Sequence, residues 1–224
     1  MLQATLFDFN GVLVDDEPLH LAGFNAVLAQ LDIVIDPAEY EEKYLGFDDR
    51  GAFQAMLHDR GRPVDPRLVE RLIHSKGEVY ARLAATGLKV FPGAADIVRR
   101  AAAVGPVGIV SGALRAEILG ALRLLGVGDC VRAIVAAEDV GACKPDPEGY
   151  TAGLRALGVS VASRAVAVED SIAGVIAAKS AGARVLAVAH TYAAEPLWAA
   201  GADMVMETLA EVRADDLEAL AARA

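Results

Sequence analysis

The feature that most constrains the fold is a repeated pairing: a short apolar run that stops at a polar or glycine position, followed by a helical pattern. Ala4-Thr5-Leu6-Phe7 stops at Asp8, and comparable runs recur at Val107–Val110, Val131–Val135, 165–168 and 184–189. Runs this short and this uniformly apolar suit strands buried on both faces of a parallel sheet. Helical patterns occupy 114–125, 147–157 and 172–181. Gly126, Gly158 and Gly182 stand just past them, where a helix end favours a residue with positive φ. Strands alternating with helices predict βαβ units and an α/β fold, a Rossmann-like parallel sheet flanked by helices.

One stretch breaks the alternation. From about Glu17 to Ala85 no strand is legible. The segment 19–31 carries apolar residues at 21, 24, 27, 28 and 31, a helical stripe, and 67–83 carries Leu68, Leu72, Ile73, Val79 and Leu83. Pro37, Pro63 and Pro66 punctuate the connections. We therefore expect an α-helical domain at 15–86, inserted after the first strand of a core formed by 1–14 and 87–224. The two ends of such an insert should lie close together. Residues 193–224 read as a helix, a strand at Met204–Met206 and a final helix.

Composition narrows the function. Lys and Arg number 21 against 31 Asp and Glu, a net charge of −10, which argues against a nucleic-acid partner. No run of ~18 uncharged apolar residues suggests a membrane span, and no basic-then-apolar leader opens the chain, so the expected compartment is the cytoplasm. Cys130 and Cys143 form no CxxC pair and read as free thiols. A monomer or weak homodimer is expected.

In an open parallel sheet, ligands bind beyond the carboxyl ends of the strands. There this sequence places Asp8-Phe9-Asn10-Gly11, then Ser111-Gly112-Ala113, then Lys144-Pro145-Asp146-Pro147, and finally Glu169-Asp170-Ser171. Each has a plainer reading alone: Ser111 or Asp146 as a helix cap, an Asp as a turn residue, Lys144 as a surface charge. Their joint occurrence at successive strand ends suits phosphoryl transfer. A phosphate group calls for a lysine and for amides at helix N-termini. Clustered carboxylates repel unless a hard cation joins them, and an all-oxygen set suits Mg²⁺. Asp8 then reads as ligand and nucleophile at once. His20, His58, His74 and His190 lie too far apart in sequence to offer a rival metal site. His20, the nearest to the motif, reads equally as a helix-surface residue or as a site residue.

These motifs resemble, in order and spacing from Leu6 to about Ala189, those of haloacid dehalogenase (HAD) superfamily phosphatases with a small helical cap, the branch containing β-phosphoglucomutase, phosphoglycolate phosphatase and CbbY. The resemblance implies an inserted cap domain, Mg²⁺ as cofactor and a small phosphorylated metabolite as substrate. It also implies that Asp8 is the nucleophile and a metal ligand, with Asn10 contributing its main-chain carbonyl to the metal. Ser111 corresponds to the hydroxyl that binds the phosphoryl group and Lys144 to the lysine beside the nucleophile. Glu169 and Asp170 correspond to the remaining acidic metal anchor, and the amides of Phe9, Asn10 and Gly112 to the phosphate cradle.

The sequence departs from that family at Asn10, where a second Asp usually serves as acid and base. An amide cannot exchange a proton in this way. Three explanations stand open: a native Asn with Asp15, Asp16 or His20 supplying the proton, or a substrate with a good leaving group; an engineered substitution; or a protein that only binds its phospho-ligand. Asp15 and Asp16 read more simply as hinge residues that N-cap the next helix. In the cap, 44–50 is expected as a loop facing the site, with Arg50 either clamping a second anionic group or pairing with Asp48 or Asp49. Leu45 stands where the mutase subgroup is expected to carry a lysine. The leading expectation is a Mg²⁺-dependent phosphomonoester hydrolase working through phospho-Asp8. The alternatives are a sugar-phosphate mutase and a catalytically weak phospho-ligand binding module.

Overall fold

In the computed structural model, which describes residues 1–223, the chain divides into two compact units. One comprises residues 1–15 and the chain from Val90 onward; the other is the contiguous stretch Asp16–Lys89. The divisions fall after 15 and 89, where the sequence suggested 14 and 86.

The chain begins with β1 (Ala4–Phe7) and the short β2 (Val14–Asp15). The second unit follows: α1 (Glu17–Leu28), α2 (Pro37–Lys43), α3 (Asp49–Asp59) and α4 (Pro66–Gly87). The return strand β3 (Lys89–Val90) pairs with β2, so the chain leaves and re-enters the first unit through neighbouring strands. Then come α5 (Ala94–Val104), β4 (Val107–Val110), α6 (Arg115–Leu125), β5 (Val131–Val135) and α7 (Glu148–Ala156). The chain ends through β6 (Ala165–Glu169), α8 (Ile172–Ser180), β7 (Arg184–Val188), α9 (Ala194–Ala199), β8 (Met204–Met206) and α10 (Ala214–Ala222).

Among the described residues the main sheet has six strands in the order β5-β4-β1-β6-β7-β8, every pair parallel. Every residue of β1, β4 and β6 is buried, which is why these segments read as unbroken apolar runs. Ala4 and Leu6 join Tyr150, Leu154, Val175 and Leu197 in one core cluster, with α7 packed across β5, β4 and β1. β1 has β4 on one side and β6 on the other, so the connections diverge at its carboxyl end, the place where such sheets bind ligands. Gly126, Gly158 and Gly182 adopt φ of 63°, 70° and 86°, the helix stops expected of them.

The helical unit has its own core, with Phe24, Leu28, Phe53, Met56 and Leu72 in one cluster and Phe24 meeting Phe53 edge-on at 4.9 Å. Here the structure corrects several expectations. The first helix stops at Leu28; residues 29–31 form a 3₁₀ turn that Asp32 ends at φ 57°. Within 44–50 only the first part is loop. Asp48 accepts the Gly51 amide at 2.9 Å and starts α3, so Asp49 and Arg50 are helical. Asp16 stands at the N-cap of α1 without a side-chain cap bond, because its carboxylate is drawn to Tyr80 and His20 instead.

Candidate active site

Asp8 follows β1 directly, and its amide donates to the Val168 carbonyl of β6 at 2.9 Å, so the strand ladder itself aims the turn that follows. Its carboxylate lies 2.8 Å from the Lys144 ammonium, which reaches the Glu169 carboxylate at 2.6 Å. Lys144 is thus no surface charge: it sits between two buried acids, its Nζ 5.5 Å from the Tyr150 ring centroid. The Phe9 amide donates to Asp8 Oδ1 at 2.7 Å, so in this structure it holds the carboxylate.

Asn10 and Ser111, carried by different strands, also meet. The Ser111 hydroxyl donates to Asn10 Oδ1 at 3.2 Å and accepts the Ala113 amide at 3.0 Å, combining the cap-like role of the plainer reading with a place in the site. Gly112, between Ser111 and Ala113 in the sequence, is exposed. Asp146 does act as a cap, accepting the Glu148 amide at 2.9 Å as α7 begins.

Glu169 closes β6 with both carboxylate oxygens engaged. Oε1 accepts from Lys144 and, at 2.7 Å, from the Tyr150 hydroxyl. Oε2 accepts from the Asp170 amide at 3.2 Å and the Ser171 hydroxyl at 3.1 Å. Asp170 accepts a hydrogen bond from the Thr191 hydroxyl. Gly11 packs so closely here, at φ 72°, that a Cβ would overlap the Asp170 carboxylate and come within 2.9 Å of Thr191 Oγ1.

Electrostatically the cluster is short of positive charge. Burial and the facing Glu169 carboxylate push Asp8 up to about 7, even with Lys144 alongside. Burial, then the charges of Asp8 and Glu169, hold Asp170 well above the ordinary carboxylate range. Ligand oxygens of Asp8, Glu169 and Asp170 lie within 4.8 Å of one another, all three residues buried. This hard, all-oxygen set with unbalanced negative charge fits a divalent cation of the Mg²⁺ type.

His20 and Arg50 lie in the helical unit. His20 Nδ1 is 2.6 Å from the Lys76 ammonium, which can only donate, so Nε2 carries the proton and faces Asp16 at 3.2 Å. Lys76, fully buried, also binds Asp49 at 2.6 Å, and the Tyr80 hydroxyl donates to Asp16. Arg50 is exposed; Asp48 is spent on its cap and Asp49 on Lys76, so the pairing expected as the plainer reading does not form. Sequence reading missed Tyr150, Lys76 and Thr191. Extending the survey of strand ends to β7 would have found Thr191, while nothing in the local pattern singled out the other two.

With this geometry in hand, the comparisons with known proteins define the class. The family model for haloacid dehalogenase-like hydrolases matches residues 2–182, and the chain belongs to that family. Among its relatives, protein CbbY of Cereibacter sphaeroides is 34% identical over 220 residues, 95% of this chain and 94% of that one. Validoxylamine A 7'-phosphate phosphatase of Streptomyces hygroscopicus subsp. limoneus is 30% identical, over 95% of this chain and 97% of its own. The crystal structure of CbbY from Rhodobacter sphaeroides in complex with phosphate superposes with a TM-score of 0.85 at 30% identity, covering 94% of this chain and 96% of that one.

Proposed function

We propose that this chain is a Mg²⁺-dependent phosphomonoester hydrolase of a small phosphorylated metabolite, with Asp8 as its nucleophile. The observation that carries the reading is the buried Asp8–Lys144–Glu169 ion cluster, with Asp170 beside it, at the carboxyl ends of β1 and its neighbours. An Asp8 carboxylate oxygen attacks phosphorus, and the ester oxygen departs with the bonding pair and takes up a proton from water, since Asn10 has none to give. Water then attacks the phosphorus of phospho-Asp8, releasing inorganic phosphate and restoring the carboxylate. Lys144 offsets the charge of Asp8 and of the arriving phosphoryl oxygens, and the Ser111 hydroxyl and the Gly112 and Asn10 amides supply donors to them.

Asp8, Asp170 and the Asn10 main-chain carbonyl would hold the cation, which supplies charge neutralisation between carboxylate and phosphoryl oxygens. Glu169 completes the acidic set and, with its oxygens occupied, serves by anchoring Lys144. His20, committed to Lys76 and Asp16, is better suited to hold that network than to pass a proton to substrate. Substrate choice would fall to the helical unit, where Arg50 is exposed and offers a cation to a second anionic group.

Asn10 favours a second reading, a protein that binds a phospho-ligand and turns it over poorly. The two separate on leaving groups. An aryl oxide departs without protonation, whereas a sugar alkoxide needs an acid. Replacing Asn10→Asp is expected to raise Mg²⁺-dependent alkyl phosphate hydrolysis by ~10²–10⁴-fold and to change aryl phosphate hydrolysis little. If neither protein hydrolyses any ester while both bind phosphate, the hydrolase reading is overturned in favour of the binding module.

A further inference from the structure

Beyond β7 the chain turns through His190 and Thr191. His190 stacks on Phe91, ring centroids 3.9 Å apart and planes 18° from parallel. Its Nδ1 lies 2.7 Å from the Gly11 carbonyl, so Nδ1 carries the proton and donates. Its Nε2 accepts the Leu209 amide at 3.1 Å. Both ring nitrogens are therefore used with opposite polarity, which fixes one neutral tautomer. The Gly11 carbonyl belongs to the turn that carries Asp8 and Asn10. The next residue, Thr191, donates its hydroxyl to Asp170 Oδ2 and lies against Gly11.

One dipeptide thus grips the turn behind the nucleophile with one side chain and the Asp170 carboxylate with the other. Two buried, like-charged carboxylates tend to swing apart. Holding them at one spacing needs a brace on each, tied to something rigid. Here the brace is the carboxyl end of β7, a strand hydrogen-bonded to β6 on one side and β8 on the other. We propose that His190 and Thr191 are positioning residues that set the spacing of the Asp8 turn and Asp170, holding both in the arrangement that receives a divalent cation. This rests on the metal reading above. It adds a further strand end to the site, one that contributes no ligand of its own. Outer partners that orient ligating carboxylates act through geometry, and their loss costs metal affinity without removing a ligand.

The test is Mg²⁺ titration calorimetry on the full chain, at a temperature where circular dichroism shows each protein folded. Thr191→Val is expected to weaken Mg²⁺ binding by ~10–100-fold, with Thr191→Ser restoring it to within a few-fold of the parent. His190→Asn, which keeps an N–H near the Nδ1 position, should bind more tightly than His190→Leu. This second pair carries the test if Thr191→Val does not fold. Equal, finite affinity in the parent and in Thr191→Val or His190→Leu overturns the positioning role. So does a Thr191→Ser variant as weak as Thr191→Val. No detectable Mg²⁺ binding by the parent is a different result: it overturns the metal reading, and this inference with it.

Discussion

Gly174 lies in the first turn of α8 directly beneath the Glu169 carboxylate. A Cβ added there would overlap all three heavy atoms of that group, far inside van der Waals range. For the methyl of Gly174→Ala to fit, the carboxylate must withdraw by more than ~1 Å. It has nowhere to go without loss. Its oxygens hold Lys144 at 2.6 Å, the Tyr150 hydroxyl at 2.7 Å, the Ser171 hydroxyl at 3.1 Å and the Asp170 amide at 3.2 Å. Hydrogen bonds to charged groups contribute about 1.5–3 kcal/mol each, so breaking two costs about 3–6 kcal/mol. Alanine returns up to ~1 kcal/mol of helix propensity. The net loss of about 2–5 kcal/mol is a large part of a typical domain's 5–15 kcal/mol. The assay is urea denaturation, with an expected fall in midpoint on the order of 1–2 M. In a Glu169→Ala background there is no carboxylate to displace, and the same Gly174→Ala change should be neutral or stabilising. A neutral Gly174→Ala in the parent, or an equal cost in both backgrounds, refutes the reasoning.

Two further outcomes follow from the ion networks. Replacing Lys76→Met leaves Asp49 and His20 without their buried cation and should destabilise the protein by about 3–5 kcal/mol; a stability unchanged in denaturant titration would contradict that. Asp203 tests pH dependence. Burial opposes its ionisation, yet hydrogen bonds from Lys179, the Val185 amide and Arg184 hold its carboxyl below the usual range. A depressed folded pKa stabilises the fold above the unfolded value near ~3.9 and loses that contribution as pH falls through the folded pKa. Asp203→Asn should therefore be less stable than the parent at neutral pH, with the gap closing below about pH 4; a gap independent of pH would refute it.

How far the sequence could be read depended on what each residue spends its side chain on. β1, β4 and β6 were legible because burial on both faces leaves an unbroken apolar run, and the strand-end motifs because their residues are polar where the run stops. The face of α4 was legible only in part: Leu72 is buried and Leu68, Ile73 and Val79 pack against the core, but Val69, Lys76 and Tyr80 were missed. Its buried residues are Val69, Leu72, Lys76 and Tyr80, helical spacing with a lysine in the middle, and hydropathy counts a lysine as exposed. Partners from α1 and α3 help make its burial tolerable. The helices α2 and α3 were hidden in the same way: each begins at an Asp that caps it, Asp36 and Asp48, and among so many acids neither stood out. Tyr150 and Thr191 read as ordinary residues because their roles lie in a single hydroxyl pointed at an acid brought from elsewhere in the chain.

The position of β1 in the sheet bears on how the chain assembles as it is made. β1 precedes the other strands of its sheet in the chain, yet its partners are Val107–Ile109 on one side and Ala165–Val168 on the other. At about 5–20 residues per second, its second neighbour appears roughly 10–30 s after β1 itself. The helical unit, by contrast, is contiguous from Asp16 to Lys89, and its core closes on residues near one another in the chain. It is expected to fold first, while β1 waits unpaired on the nascent polypeptide, an apolar tetrapeptide with every backbone donor unspent. The strand that leads into Asp8 thus completes its pairing only after residues 165–168 have been made.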